Sequence, residues 1–151
     1  ASMALRRDPA DLEAALALAE KLHRSLYDKA GNPYIDHITR VVARVDHDAD
    51  KIAAALHDVV EDMPSTLDNL AAAGFAPDVV DAIDAVSRRP GETCEVFLSR
   101  VAVNEIATRV KFADLADNSD EQRLARLPTE LAARHRDKYA RALRQHRAMT
   151  N

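Results

Sequence analysis

Apolar residues recur along this chain at intervals of three and four, the spacing of one helix face. Leu12, Ala15, Leu16, Ala19 and Leu22 mark a first helix, with Asp8-Pro9 as N-cap and first helical residue and an end near Leu26. Lys29-Ala30-Gly31-Asn32-Pro33 is a turn. Tyr34 to Val45 reads as a second helix, with Ile35, Ile38, Val41, Val42 and Val45 as its stripe. Asp48 caps a third helix, which carries His57-Asp58 and is stopped or kinked at Met63-Pro64. Ser65 or Thr66 starts a short fourth helix, ended by Gly74. Pro77-Asp78 opens a fifth that runs to about Val86, and Arg88-Arg89-Pro90-Gly91 is a basic loop. A sixth covers roughly Thr93 to Val103, and a seventh runs from about Glu105 through Ile106, Val110, Ala113 and Ala116. Pro128-Thr129 opens a last amphipathic helix with Leu131, Tyr139 and Leu143 inward. The β-branched runs are short and helically spaced, and no alternating strand of useful length occurs. The pattern predicts an all-α, compact multi-helix bundle.

One stretch breaks the pattern. Ala53-Ala54-Ala55-Leu56 runs straight into His57-Asp58-Val59-Val60-Glu61-Asp62. Helices bury apolar faces and leave charges outside, so ionisable groups at the end of an alanine-rich segment need a partner. A divalent metal supplies one, because it neutralises carboxylates and takes up an imidazole lone pair. Four residues sit on helices beside or within apolar stretches: His37, His57, Asp58 and Asp114. Two imidazoles and two carboxylates suit Mn²⁺, Fe²⁺ or Zn²⁺, with room for one ion or two. Such an ion lowers the pKa of bound water and polarises a phosphoryl oxygen. Glu61 lies four residues after His57 and Asp62 four after Asp58, on shared faces if the helix persists. They are the candidates to orient the attacking water or shuttle its proton. Asp114 and Asn118 are likewise four apart, so Asn118 could hydrogen-bond substrate while Asp114 reaches the metal. Lys111, one turn earlier, could pair with a carboxylate or a phosphate. Lys29, Arg88 and Arg89 are the other candidates for phosphate charge. His23, His47, His135 and His146 sit among charged or polar neighbours without ligand spacing and stay outside the site.

Composition changes this picture little. The length of 151 residues fits a single domain, and Ala1-Ser2-Met3-Ala4 reads as an appended leader with no structural meaning. With 21 basic against 25 acidic residues the net charge is −4, unlike an electrostatic nucleic-acid binder. A phosphorylated small molecule stays open, since local cations decide that. The one cysteine, Cys94, forms no intrachain disulfide and fits a reducing, cytoplasmic setting. No apolar run approaches the roughly 20 residues of a membrane span.

Three stretches together resemble a known family: Gly31-Asn32-Pro33-Tyr34-Ile35-Asp36-His37; Ala55-Leu56-His57-Asp58-Val59-Val60-Glu61-Asp62, followed by Thr66; and Val110-Lys111-Phe112-Ala113-Asp114 with Asn118. The order resembles the HD-domain metal-dependent phosphohydrolases. It is closest to the hydrolase domain of RelA/SpoT-type guanosine tetraphosphate enzymes and their small stand-alone relatives, over roughly residues 10 to 145. The resemblance implies an all-α fold and one Mn²⁺ held by His37, His57, Asp58 and Asp114. It implies that Glu61 and Asp62 serve the attacking water, that Lys29 and Asn118 contact substrate, and that the 3′-pyrophosphate of ppGpp or pppGpp is removed by hydrolysis. Two departures stand out. Asp28 occupies the place of a family arginine that helps hold the base. Leu115-Ala116-Asp117-Asn118 replaces Arg-Leu-His-Asn, with Glu121 at a family threonine position. Two alternatives therefore accompany the expectation: hydrolysis of a different nucleotide, and a module that binds metal and nucleotide without turnover.

Overall fold

A computed structural model describes residues 8–61 and 66–150. The elements are α1 (Leu12–His23), α2 (Tyr34–Ala43), α3 (Asp48–Leu56), α4 (Leu67–Ala72), α5 (Pro77–Val86), α6 (Cys94–Ala102), α7 (Glu105–Asn118), α8 (Glu121–Leu124) and α9 (Thr129–Thr150). No strand occurs among the described residues; an isolated bridge pairs Tyr27 with Pro33 across the turn that leads into α2. No described helix is long and apolar enough to cross a membrane.

The helix starts follow local capping chemistry. Thr66, Thr93, Asn104 and Asp120 each accept a backbone N–H from the first turn of α4, α6, α7 and α8. At α1 the cap is Asp11, whose Oδ1 accepts from the Ala14 N–H at 2.9 Å, so the helix starts later than Asp8-Pro9 suggests. It also ends sooner, at His23. Asp48 proves to be the first residue of α3, and His47 is its N-cap. Gly74 follows α4 at φ 95°, a conformation that favours glycine. The sequence pattern missed α8, whose four residues are too few to show a period.

The core centres on α3, which packs against α1, α2, α5 and α7. Ala53, Ala54, Ala55 and Leu56 are each at most 1 % exposed, and Val59 follows them into the core. A helical turn apolar on every side, as the last turn of α3 is, can only be buried, and alanine lets its neighbours approach closely. The helix stops at Leu56 for a local reason. The His57 ring nitrogen Nδ1 donates to the Ala54 carbonyl at 2.6 Å, taking the acceptor that the Asp58 N–H would use if the helix continued. His57 to Glu61 therefore form turns. The expectation that His57 and Glu61 share a helix face is not met. Asp62, Met63, Pro64 and Ser65 lie outside the described residues.

Candidate metal centre and its cleft

Ending α3 at the core brings its last side chains against α2 and α7. His37 Nε2, His57 Nε2 and an Asp58 carboxylate oxygen lie within 4.8 Å of one another. Asp114 joins them from α7: its Oδ1 is 3.0 Å from His37 Nε2 and 3.3 Å from His57 Nε2. Asp58 Oδ2 is 3.3 Å from His57 Nε2. All four metal candidates named from the sequence thus converge, from α2, α7 and the turn after α3.

The surrounding groups decide which atoms face the centre. The His57 Nδ1 bond to Ala54 assigns the ring proton there and leaves the Nε2 lone pair directed at the cluster. His37 is fixed the same way, with Nδ1 2.6 Å from Asp117 Oδ2. Asp117 is fully buried. It is held by Arg40 at 2.8 Å and by Arg123 at 2.7 Å. Lys111 donates to Asp114 Oδ2 at 3.1 Å and Asn118 donates to Asp114 Oδ1 at 3.3 Å. The Tyr34 hydroxyl donates to Asp58, and its ring lies between those of His23 and His37, at 5.1 and 5.4 Å between centroids.

The electrostatics are those of a cluster that holds protons until a cation replaces them. Burial pushes the His57 imidazole down, but Asp58 and Asp114 outweigh it and raise its pKa to about 9. Burial likewise opposes, and Asp114 with Asp117 overcomes, so that His37 is also raised. Burial works against the charged form of Asp114, yet Lys111, His37 and His57 hold its carboxyl well below the usual carboxylate range. For Asp117 burial is again outweighed, by His37 and Arg40, and its pKa falls to about 2. His37, His57 and Asp58 offer three ligand atoms within reach of one ion, with the Asp114 carboxylate beside both imidazoles, a donor set that would suit a divalent ion of borderline hardness.

His57, Asp58 and Asp114 line a cleft of 650 Å³ together with Glu61, Arg88 and, from α9, Lys138, Tyr139 and Arg141, while His37 lines the smaller hollow next to it. Glu61 is exposed, and its Oε2 accepts from the Arg88 N–H at 3.0 Å. That smaller hollow, of 320 Å³, is also lined by Lys29, Asn32, Arg123 and His135 among others. Tyr34, Asn118 and Tyr139 line both spaces. Lys29 therefore lies in the neighbouring hollow, 3.3 Å from His135, while Lys111 and Asn118 stand at the centre itself. Arg89 pairs with Asp84 at 2.8 Å and lines neither space.

The two sequence departures have a common structural explanation. Asp28 accepts the Ala30 and Asn32 N–H groups with one oxygen and pairs with Arg123 through the other, at 3.3 Å. Arg123 also holds Asp117. The acidic residue at the family arginine position and the one at the family histidine position are thus bridged by one guanidinium. Sequence reasoning missed Asp117, Arg123, Lys138 and Arg141, all charged helix or turn residues of the kind that usually face water. It also set aside His23 and His146, which are 1 % and 0 % exposed. His23 is buried behind the Tyr34 ring and has no hydrogen-bond partner for either ring nitrogen among the described residues.

Fold and centre together define an all-α protein with a buried His/Asp cluster at a helix end. Residues 15–93 match the HD domain family, and the chain belongs to it. It is 31 % identical over 135 residues to the "Probable GTP pyrophosphokinase" of Mycobacterium leprae, covering 82 % of this chain and 17 % of that protein. It is 30 % identical over 119 residues to the guanosine-3′,5′-bis(diphosphate) 3′-pyrophosphohydrolase of Haemophilus influenzae, covering 70 % of this chain and 17 % of that one. The chain thus spans about a sixth of the length of these relatives. A solved structure described as a metazoan ortholog of SpoT that hydrolyzes ppGpp superposes with a TM-score of 0.75 at 25 % identity, over 96 % of this chain and 88 % of that one.

Proposed function

We propose that this chain is a metal-dependent phosphohydrolase that removes the 3′-pyrophosphate from ppGpp or pppGpp, with Mn²⁺ held by His37, His57, Asp58 and Asp114. The observation that carries the reading is the pair of joined spaces. One is lined by His57, Asp58 and Asp114, and the other, sharing Tyr34, Asn118 and Tyr139 and lined by His37, has a volume of 320 Å³, in the range of small-molecule sites. The solved relative of matching length is described as hydrolysing ppGpp. The ion, when bound, supplies Lewis acidity and an acidified water. His37 and His57 would present ring nitrogens to it and Asp58 and Asp114 would balance its charge, while Lys111 keeps Asp114 anionic. To Glu61, which lines the same cleft, and to Asp62, next in the chain, we assign acceptance of a proton from the attacking water. Asn118, in the wall shared by the two spaces, and Lys29, in the smaller hollow, would hold substrate. A reducing, cytoplasmic setting suits a chain with one free cysteine.

The Asp28–Arg123 pair favours a second reading, in which another pyrophosphorylated nucleotide is the substrate. Elemental analysis of the purified protein, followed by a nucleotide panel with Mn²⁺, tests both. Turnover of ppGpp well above every other nucleotide supports the first reading. A different preferred nucleotide supports the second, and no turnover of any nucleotide overturns both. His57→Ala or Asp58→Ala protein that kept full activity would sink the mechanism.

A further inference from the structure

The last helix carries a charge bias that the site described so far does not use. α9 contains Arg134, Arg136, Lys138, Arg141, Arg144 and Arg147 against Glu130 and Asp137, in a chain of net charge −4. Arg136 is engaged with Glu121 at 2.8 Å. Lys138 and Arg141, three residues apart, share a helix face, and both line the cleft over the metal centre. Both are exposed, and among the described residues neither pairs with a carboxylate. The other cations of the cleft are engaged: Lys111 with Asp114, and the Arg88 guanidinium with the Glu92 carbonyl at 2.9 Å. The field on the α9 side is positive. The His135 imidazole is held below its ordinary pKa by burial and then by Lys29, Lys138 and Arg134.

We infer that Lys138 and Arg141 form an anion-binding wall that takes the outer phosphate of a pyrophosphoryl group whose inner phosphate lies at the metal centre. The inference rests on the phosphohydrolase reading and narrows it. A divalent ion and Lys111, set against Asp58, Asp114 and Glu61, leave the centre without surplus positive charge. A pyrophosphoryl group entering such a cleft finds no net attraction unless other cations face it. Lys138 and Arg141, which no carboxylate among the described residues neutralises, supply them, and guanidinium and ammonium groups bind phosphate oxygens by charge-assisted hydrogen bonds. A second, linked phosphate extends the anion from the centre toward the α9 cations that line the same cleft.

The test is calorimetric titration of metal-saturated protein with pyrophosphate and, separately, orthophosphate, at equal free metal. Wild-type protein is expected to bind pyrophosphate more tightly. Lys138→Ala/Arg141→Ala should lose about tenfold in pyrophosphate affinity, with orthophosphate changed less than about twofold. Lys138→Arg/Arg141→Lys should keep the preference. Unchanged pyrophosphate affinity in the alanine protein, or equal weakening of both anions, overturns the wall. Both residues are exposed, so the melting temperature should hold. If it does not, the charge-keeping protein decides, because loss of its preference also overturns the proposal. Failure of the substrate reading looks different: pyrophosphate binding then depends on α9 while ppGpp is not turned over.

Discussion

His57 concentrates the chemistry of the site in one ring. Its Nδ1 ends a helix and its Nε2 faces the cluster, so the same side chain shapes the backbone and aims a ligand atom. In metal-free protein its pKa is raised from 6.5 to about 9. A raised pKa means that the folded state holds this proton better than the unfolded state. The stabilisation is fully present below pH 6.5 and is lost as pH rises through about 9. A metal must displace the same proton. Apparent metal affinity should therefore climb with pH over that window, by up to about tenfold per unit, and titrations in buffers of different ionisation enthalpy should show proton release. A pH-independent affinity would contradict the geometry. Asp117 makes a separate prediction. Asp117→Asn should weaken metal binding by about 10- to 100-fold, because His37 loses the carboxylate that orients it. It should also lower the melting temperature, because Arg40 and Arg123 lose a buried partner. The four clustered residues were readable in the sequence because buried-looking helices rarely carry His and Asp without a reason. Asp117 was not, since a fourth charge near a helix end looks like an ordinary solvated one.

Among the elements, α3 explains why the centre is rigid. Its alanine run admits neighbours on all sides, so added volume has nowhere to go. Ala54→Leu should destabilise by about 1–3 kcal/mol in a denaturant titration. Leu56→Ala should cost about 2–5 kcal/mol, as should Leu98→Ala in α6, since both side chains are fully buried. The two should differ in metal affinity: Leu56 adjoins His57, and its loss should weaken binding where Leu98→Ala leaves it near wild type. Equal effects would show that the centre responds only to global stability. Periodicity revealed eight of the nine described helices, and α5 matches its expected bounds at Pro77 and Val86. What it could not show is where α3 ends. The apolar pattern continues through Val59, and only a side-chain bond from His57 to Ala54 breaks the backbone ladder there.

At the scale of the molecule, opposed charges fixed at the junction of α2, α3 and α7 tie stability to proton and metal. The depressed pKa of Asp117, about 2 against an ordinary 3.8, contributes stability above pH 3.8 that disappears as pH falls through about 2. An acid titration of metal-free protein should lose on the order of 2 kcal/mol from this group, and Asp117→Asn should flatten that limb. Metal should add to stability by mass action, by about 2.7 kcal/mol at a hundredfold excess over Kd, and a chelator should reverse it. The all-α class and the four-residue cluster were legible in the sequence, but the cleft wall was not. Lys138 and Arg141 acquire meaning only when α9 packs back against α6 and α7. That long return has a consequence for synthesis. His37, His57, Asp58 and Asp114 are all synthesised before Lys138, so the cluster is complete in the chain before the wall that lines its cleft.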